Sequence, residues 1–242
     1  MSVLIQKKAN QFRERNGISG GEAIRLKSLL LKLNVLTLFR PLTEAFSGMS
    51  LKINDNVRFI LVNSNHSVGR QHFTIAHELY HLFIQGKSEI HQCKTGLFDP
   101  KKKEEYNADY FASCFLMPET GIQEMIPDEE LHQKKISLQT VIRLEQYFSV
   151  SHSSMLVRLK MLGLMDAKAF DHFRTFKATE TAQQYGYETS LYKEGNHGVI
   201  VGDYGEKAKR LFDVERISEG HYMELMQKIG IDITNPERGD EN

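Results

Sequence analysis

The segment from His77 to His81, with the sequence His-Glu-Leu-Tyr-His, constrains the fold more than any other stretch of the chain. On an α-helix, four residues complete slightly more than one turn, so His77 and His81 project from nearly the same face, about 6 Å apart along the axis. Two imidazoles at this spacing can bind one zinc ion, and Glu78 can take a proton from a water molecule that the metal activates. Apolar residues around the segment recur at helical spacing, which favours a helix. A pair of surface histidines beside an ordinary glutamate is the alternative interpretation.

A second motif offers a third ligand, which zinc enzymes usually need. Apolar residues between Ala108 and Leu116 follow the helical spacing and predict a second amphipathic helix that ends at Pro118. Glu105 and Asp109 lie one turn apart on its adjoining face. Glu105 can complete the zinc site, while Asp109 can accept a hydrogen bond from the free ring nitrogen of a zinc-bound histidine. The alternative is that both carboxylates are solvated charges on a surface helix.

These motifs resemble those of the ImmA/IrrE family of zinc metallopeptidases. The resemblance is carried by Phe73–His81, Glu105–Ala112 and Leu116–Pro118, and it extends from about Ala9 to Met165. It implies a gluzincin-like site built from residues of both helices. The ligands of the single Zn²⁺ would be His77, His81 and Glu105, the general base Glu78, and the hydrogen-bonding support Asp109.

Two residues depart from the family pattern. Tyr80 stands where the family commonly has glycine, and Asn107 stands where a longer side chain is usual. Neither position touches a ligand, but we expect Tyr80 to narrow the cleft.

The strands predicted before the histidine helix indicate an α+β fold. Val35–Phe39 and Val57–Val62 read as strands, the second apolar on both faces as in the interior of a sheet. Met49–Ile53 alternates strictly, as an edge strand would, and the turn signal at 54–56 follows it. The resemblance implies a zincin-like metallopeptidase core, with a small twisted sheet, an edge strand beside the histidine helix and a mainly helical remainder. Substrate would extend along Met49–Ile53; a hairpin that merely covers the core is the alternative.

Four further helices are predicted outside the two motifs. Helices are predicted up to Arg15, over Glu22–Leu33, over Leu138–Phe148 and from about Met155 to Gly163. The last two could form either a DNA-reading helix-turn-helix or a hairpin that closes the catalytic domain. Only Arg143, Arg158 and Lys160 accompany them, and a DNA surface is normally more basic.

The resemblance ends near Met165 and no motif follows it, so we assign residues 1–165 to a metallopeptidase domain and 166–242 to a C-terminal accessory region of unknown role. In that region Val199–Val201 is a candidate strand, and Ser218 is a candidate N-cap of a final helix. Residues 235–242 are expected to be a disordered polar tail.

Composition excludes several classes of protein. Lys plus Arg equals Asp plus Glu at 31 each, so no global field attracts nucleic acid or an anionic membrane. The two cysteines form no disulfide framework, and no apolar run is long enough for a signal peptide or a membrane span, so we expect a cytoplasmic protein. Cys114 falls on an apolar helix face and should be a core residue. Cys93 could be a metal ligand, although a loop residue is the simpler interpretation.

The sequence thus predicts a zinc-dependent endopeptidase that cleaves a protein or peptide, such as a helix-turn-helix transcriptional repressor. One alternative is a metal or ligand sensor that sequesters a regulator without cutting it. Another is a DNA-binding regulator that uses the hairpin over 138–163. Candidates for stabilising the oxyanion are Tyr80, His72, Tyr106 and His152. The pattern indicates no oligomeric state.

Overall fold

The structure is a computed structural model, and it describes residues 2–54, 56–85, 91–93, 95–96, 98–133 and 135–231. Helices make up most of this part of the chain. They are α1 (Ser2–Arg15), α2 (Leu26–Lys32), α3 (Val68–Phe83), α4 (Lys103–Leu116), α5 (Glu119–Met125), α6 (Asp128–Gln133), α7 (Leu138–Phe148), α8 (His152–Met161), α9 (Ala167–Phe173), α10 (Ala178–Gln184), α11 (Tyr204–Asp213) and α12 (Glu219–Lys228), with a 3₁₀ turn at Ser190–Tyr192.

One small mixed sheet lies beside these helices. Its strands are β1 (Val35–Arg40), β2 (Gly48–Asn54), β3 (Val57–Asn63), β4 (His91–Cys93) and β5 (Ile200–Val201), and their order across the sheet is β4-β2-β3-β1-β5. Strands β1 and β3 are parallel, while the other pairs are antiparallel. The mixed helix and sheet architecture confirms the predicted α+β fold, and β3 is an interior strand as its apolar pattern predicted.

The edge of the sheet differs from the sequence prediction in one respect. The short strand β4 pairs with Gly48, Met49 and Ser50 of β2, so the predicted edge strand Met49–Ile53 is covered at its beginning. Strand β4 was not predicted from the sequence, which suggested a loop at Cys93. A three-residue strand is held by its tertiary partner and carries too few residues to show a period. The edge beside the histidine helix is therefore formed by β4 together with the second half of β2.

The histidine helix α3 packs between the sheet and α4. Ala76 of α3 and both Ala108 and Ala112 of α4 are fully buried, and these small side chains allow the two helices to approach closely. The ring of Phe12 from α1 contacts an aromatic cluster on α3 and α4. The cluster contains Phe83, Phe111 and Phe115, with ring centroids 5.5–5.9 Å from that of Phe12. Phe12, Phe111 and Phe115 are buried. Full burial of a phenylalanine contributes about 1.5–3 kcal/mol, which holds α1 against α4.

The helices that the sequence predicts are present, with small shifts at their ends, whereas α5, α6, α9, α10 and α11 were not predicted. Helix α1 ends at Arg15 before the left-handed Gly17, as predicted. Helix α2 begins at Leu26 and not at Glu22. Ser218 caps the last helix as predicted, since its hydroxyl oxygen accepts a hydrogen bond from the backbone N–H of His221 at 3.2 Å.

Two of the three basic side chains of the α7–α8 hairpin are bonded to neighbouring helices, while Lys160 is exposed. Arg158 is 1% exposed and donates to the carbonyl of Met117 at 2.9 Å and to Sγ of the buried Cys114 at 3.4 Å. Arg143 donates to the carbonyl of Met125 at 2.6 Å. Two of the three basic residues on which a DNA surface would depend therefore hold the hairpin against α4 and α5. Cys114 is a core residue, as predicted.

The region after residue 165 contacts the rest of the chain at several points. Strand β5 extends the sheet by pairing with Thr37 and Leu38 of β1. The amide of Gln71 on α3 donates to the carbonyl of Gly195 at 2.9 Å. The division at residue 165 stays a prediction.

Parts of three predictions fall on residues outside the described ranges. They are Asp55 in the turn after β2, the side chain of Cys93 and the tail at 235–242. Among the helices that the structure describes, none is both long and apolar enough to cross a membrane.

Candidate metal centre

Helix α3 carries the histidine pair in the interior of the molecule. His77 and Glu78 are fully buried, and His81 is 4% exposed. Each of these positions faces either α4 or the sheet, so the side chains are held by packing on both sides of the helix. Helix α4 presents Glu105 in its first turn, with about a quarter of its side chain accessible.

The structure brings His77, His81 and Glu105 together. Nε2 of His77 lies 3.1 Å from Nε2 of His81, and the two carboxylate oxygens of Glu105 lie 3.4 and 3.6 Å from these nitrogens. A tetrahedral zinc ion with bonds of about 2.0–2.1 Å needs ligand atoms about 3.3–3.4 Å apart. The spacing of the three side chains is therefore close to what such an ion requires.

The outer ring nitrogens of both histidines are engaged, which fixes their tautomers. Nδ1 of His77 donates to Oδ1 of Asp109 at 2.8 Å, and Nδ1 of His81 donates to the side-chain oxygen of Gln85. With protons on both Nδ1 atoms, the two Nε2 atoms direct lone pairs at the same point. Two acceptors 3.1 Å apart are compatible only with a shared proton or a cation between them. This donor set suits a metal ion.

Asp109 also binds the loop before α4 to the candidate metal centre. Its Oδ1 accepts from the backbone N–H of Gly96 at 2.8 Å, and its Oδ2 accepts from the N–H of Phe98 at 2.9 Å. The side chain is 2% exposed. The carboxylate therefore joins three parts of the chain, namely α3, α4 and the loop before α4.

Electrostatics at His77 follow from these contacts. Burial lowers the pKa of His77, but hydrogen bonds to Asp109 and Glu105 and the charge of Glu78 outweigh it and raise the pKa to about 9. Without a metal the ring is therefore cationic near neutral pH. A bound cation would replace this proton among the same carboxylates.

Glu78 lies against the start of β2. A Cβ built on Gly48 would stand 3.7 Å from Oε1 of Glu78, 2.5 Å from the methyl group of Thr74 and 2.8 Å from the carbonyl oxygen of Leu61. Glycine at position 48 is thus what allows the strand to pass so close to α3. The carboxylate of Glu78 is held on the same helix as the two histidines and next to the sheet.

Glu104, the neighbour of Glu105, has a different role in the structure. Its Oε2 accepts a hydrogen bond from the hydroxyl of Tyr80 at 3.0 Å. Burial, together with the charge of Glu104, raises the pKa of Tyr80 far above its usual value. Tyr80 is 3% exposed and packs against Phe111 and His81, so it lies in the core and does not narrow the cleft as we expected.

The other predicted candidates for oxyanion stabilisation make hydrogen bonds or ring contacts of their own, and their role stays a prediction. Nδ1 of His72 donates to the carbonyl of Ser149 at 2.7 Å, and burial lowers the pKa of His72. Both ring nitrogens of His152 are hydrogen-bonded, to Glu145 and to the carbonyl of Phe173. The ring of Tyr106 stacks on that of Tyr110 with centroids 6.3 Å apart.

Sequence analysis missed Gln85 and the backbone groups of Gly96 and Phe98. Gln85 follows His81 by four residues, and this helical spacing is a signal that could have identified it. The two backbone donors leave no such signal, because any residue type supplies an N–H group.

A comparison with protein families finds a match. The Peptidase_M78 model, described as IrrE N-terminal-like domain, matches residues 31–160, which is more than half of the 242 residues. The match includes both helices of the metal centre and the strands β1 to β4. No curated protein matches the chain significantly.

Proposed function

Because the chain belongs to the Peptidase_M78 family of IrrE N-terminal-like domains, which suggests a metallopeptidase-like function, we propose that it is a zinc-dependent endopeptidase. The observation that supports this most directly is the fit of His77, His81 and Glu105 to one tetrahedral ion. Zinc is the ion that two imidazoles and one carboxylate with an open fourth position most often hold in proteins.

The chain's own residues divide the work of peptide hydrolysis. Zinc, when bound, would polarise the scissile carbonyl and make a water molecule more acidic. Glu78, adjacent to His77 on α3, would accept a proton from the attacking water and deliver it to the leaving amine. Asp109 and Gln85 would keep the two histidines in the tautomer that the metal needs.

A protein substrate would bind in an extended conformation at the edge formed by β4 and the second half of β2. Main-chain hydrogen bonds to such an edge hold a peptide with little regard for its sequence, and side-chain pockets add specificity. Members of the family that the sequence resembles often act on helix-turn-helix repressors. We therefore take a transcriptional repressor of this class as the first substrate to test.

Two other functions compete with this one. A sensor that sequesters a regulator would use the same metal centre and the same edge without turnover. A DNA-binding regulator would need basic side chains on the α7–α8 hairpin, where Arg158 is buried and Arg143 is engaged by a backbone carbonyl. The second of these has little support.

The test separates metal binding from chemistry. The zinc-loaded protein is incubated with a cell lysate, and new protein N-termini are identified by labelling and mass spectrometry. Glu78→Gln keeps the size of the side chain but cannot accept a proton. We therefore expect the rate at which new N-termini form to fall by about 10²–10⁴-fold. Zinc content should stay at one ion per chain.

The control variant is Glu104→Gln, which alters a carboxylate next to the metal centre that is not a ligand. It should keep both zinc and cleavage. Cleavage that is equal for the unmodified protein and Glu78→Gln would contradict the proposal. If a regulator bound to both proteins and was cut by neither, the sensor would be the better explanation.

A further inference from the structure

A cavity of about 300 Å³ lies along α3 on the side of its N-terminal half. Arg70 and Thr95 line it, together with the serine side chains of α8 and the segment before it, Ser151, Ser153 and Ser154. Phe73, Phe98 and Val157 supply apolar walls. The cavity thus combines one guanidinium, several hydroxyl groups and aromatic surface.

The cavity is connected to the metal centre through named contacts. Arg70, Thr74 and Glu78 occur at intervals of four residues on α3, so they share one face of the helix. The hydroxyls of Thr74 and Thr95 are 3.2 Å apart. Beyond Thr95, the N–H of Gly96 donates to Asp109, which holds His77. The loop at Thr95 and Gly96 therefore borders the cavity and, through Asp109, also supports the candidate metal ligand His77.

The cavity also lies where the sheet edge ends. Ser47 immediately precedes β2, and its hydroxyl oxygen accepts hydrogen bonds from Nη2 of Arg70 and from the backbone N–H of Thr95, both at 3.3 Å. Thr95 comes two residues after β4. A peptide strand added to the β4 edge would therefore continue toward Arg70.

Arg70 has the character of a binding group. Its one hydrogen bond to a described residue uses a single N–H of five, and no carboxylate among the described residues lies within ion-pair distance. Glu44, which is exposed, acts on it only from a distance. Burial lowers the pKa of Arg70, yet a guanidinium stays charged at neutral pH. A half-buried cation with no counter-ion among the residues that the structure describes favours an anionic ligand.

We propose that this cavity is a specificity pocket for a substrate side chain, and that Arg70 selects aspartate or glutamate there. The proposal rests on the peptidase function proposed above. Eight residues of helix place Arg70 about 12 Å from Glu78 along the axis. An extended peptide advances about 3.3 Å per residue, so the acidic residue lies three or four residues from the scissile bond.

The experiment uses peptide probes with a group that binds the metal ion, so that the position of each peptide residue relative to the metal is known. Short peptides carrying a hydroxamate are made in two series, one extending N-terminally and one C-terminally from the hydroxamate. Each series has glutamate or glutamine at the third or fourth residue. Binding to the zinc-loaded protein is measured by calorimetry, so no turnover is needed.

In one series we expect the glutamate peptide to bind about tenfold more tightly than its glutamine counterpart, the scale of a charge-assisted hydrogen bond. Arg70→Gln should reduce this ratio to about one while leaving the affinity for the glutamine peptide and the zinc content unchanged. Arg70→Lys, which keeps the charge but loses the planar fork, should retain part of the ratio. Arg216→Gln, an exposed arginine that does not line the cavity, should leave the ratio unchanged.

A ratio near one in both series, or a ratio that Arg70→Gln preserves, would overturn the proposal. Should Arg70→Gln fail to fold, Arg70→Lys provides the test. An affinity ratio in Arg70→Lys equal to that of the unmodified protein would contradict recognition of the acidic side chain by the guanidinium of Arg70. Discrimination between the peptides by a protein that cleaves nothing would contradict the peptidase function and leave the pocket standing. Cleavage by a protein that binds the glutamate and glutamine peptides equally would support the peptidase function and contradict the pocket.

Discussion

Oδ1 of Asp109 accepts a hydrogen bond from Nδ1 of His77 at 2.8 Å, and both side chains are almost completely buried. The same oxygen accepts from the N–H of Gly96, and the other oxygen accepts from the N–H of Phe98. A single carboxylate therefore orients a candidate metal ligand and anchors the loop that borders the Arg70 cavity.

Asp109→Asn should weaken zinc binding. The amide keeps an oxygen for His77 and Gly96, but its NH₂ group faces the N–H of Phe98 and cannot accept from it. Loss of such a supporting group typically costs about 10–100-fold in metal affinity. Competition with a chelator measures the affinity, and Asp99→Asn, in the exposed start of the turn before α4, is the control that should bind zinc normally. An unchanged affinity in Asp109→Asn would contradict the positioning role.

Glu105→Ala should release zinc, and Glu104→Ala should retain it. The carboxylate of Glu105 lies within 3.6 Å of Nε2 of both histidines, whereas that of Glu104 accepts a hydrogen bond from the hydroxyl of Tyr80. Removal of Glu104 should lower the free energy of unfolding by about 0.5–1.5 kcal/mol, the net value of one hydrogen bond. Zinc stoichiometry by mass spectrometry and urea unfolding distinguish the two effects. Zinc lost from Glu104→Ala but kept by Glu105→Ala would reverse the assignment.

The residues of the metal centre could be predicted from sequence because they lie on two helices. Within a helix, a separation of four residues fixes which side chains share a face, and this local rule brings His77 beside His81 and Glu105 beside Asp109. The distances between the two helices follow from buried alanines and aromatic residues, and these could be recognised only as an apolar stripe.

The rest of the site depends on tertiary contacts. Strand β4 exists through its pairing with β2, and the donors of Gly96 and Phe98 are backbone groups without a sequence signature. Tyr80 looked like a cleft residue because position alone does not reveal that its hydroxyl reaches Glu104. In each case the partner is more than ten residues away in the chain.

Gly48→Ala should destabilise the protein and disturb the position of Glu78. The added methyl group would lie 2.5 Å from the side chain of Thr74 and 2.8 Å from the carbonyl of Leu61, so the strand must move away from α3 or from β3. Overpacking of this kind costs about 1–3 kcal/mol. Gly220→Ala in α12, where nothing lies within 4 Å of the new atom, is the control and should be neutral or slightly stabilising. Equal urea midpoints for both variants would contradict the close approach at Gly48.

A second buried pair joins the hairpin to the region after residue 165. Nδ1 of His152 donates to Oε1 of Glu145 at 2.6 Å, and Nε2 donates to the carbonyl of Phe173 at 3.0 Å. The hydroxyl of Tyr192 donates to Oε2 of Glu145 at 2.9 Å. Burial raises the pKa of Glu145, and the hydrogen bonds and charge of His152 together with the hydrogen bond from Tyr192 act against this rise. With Glu145 ionised, both partners of the imidazole are acceptors, and the ring then carries two protons and a positive charge.

This pair should make stability depend on pH. Burial lowers the pKa of His152, but the hydrogen bond and the charge of Glu145 outweigh it, and the pKa stands above its usual value of 6.5. A raised pKa in the folded state means that the contribution of His152 is complete below about pH 6.5 and is lost as the pH rises through the folded value. The difference in unfolding free energy between the unmodified protein and His152→Gln should therefore shrink as the pH rises above 6.5 in urea titrations. His132→Gln, on the exposed helix α6, should show no such change. A difference that grows with pH would mean that the ring is neutral, and that Glu145 binds it without an ion pair.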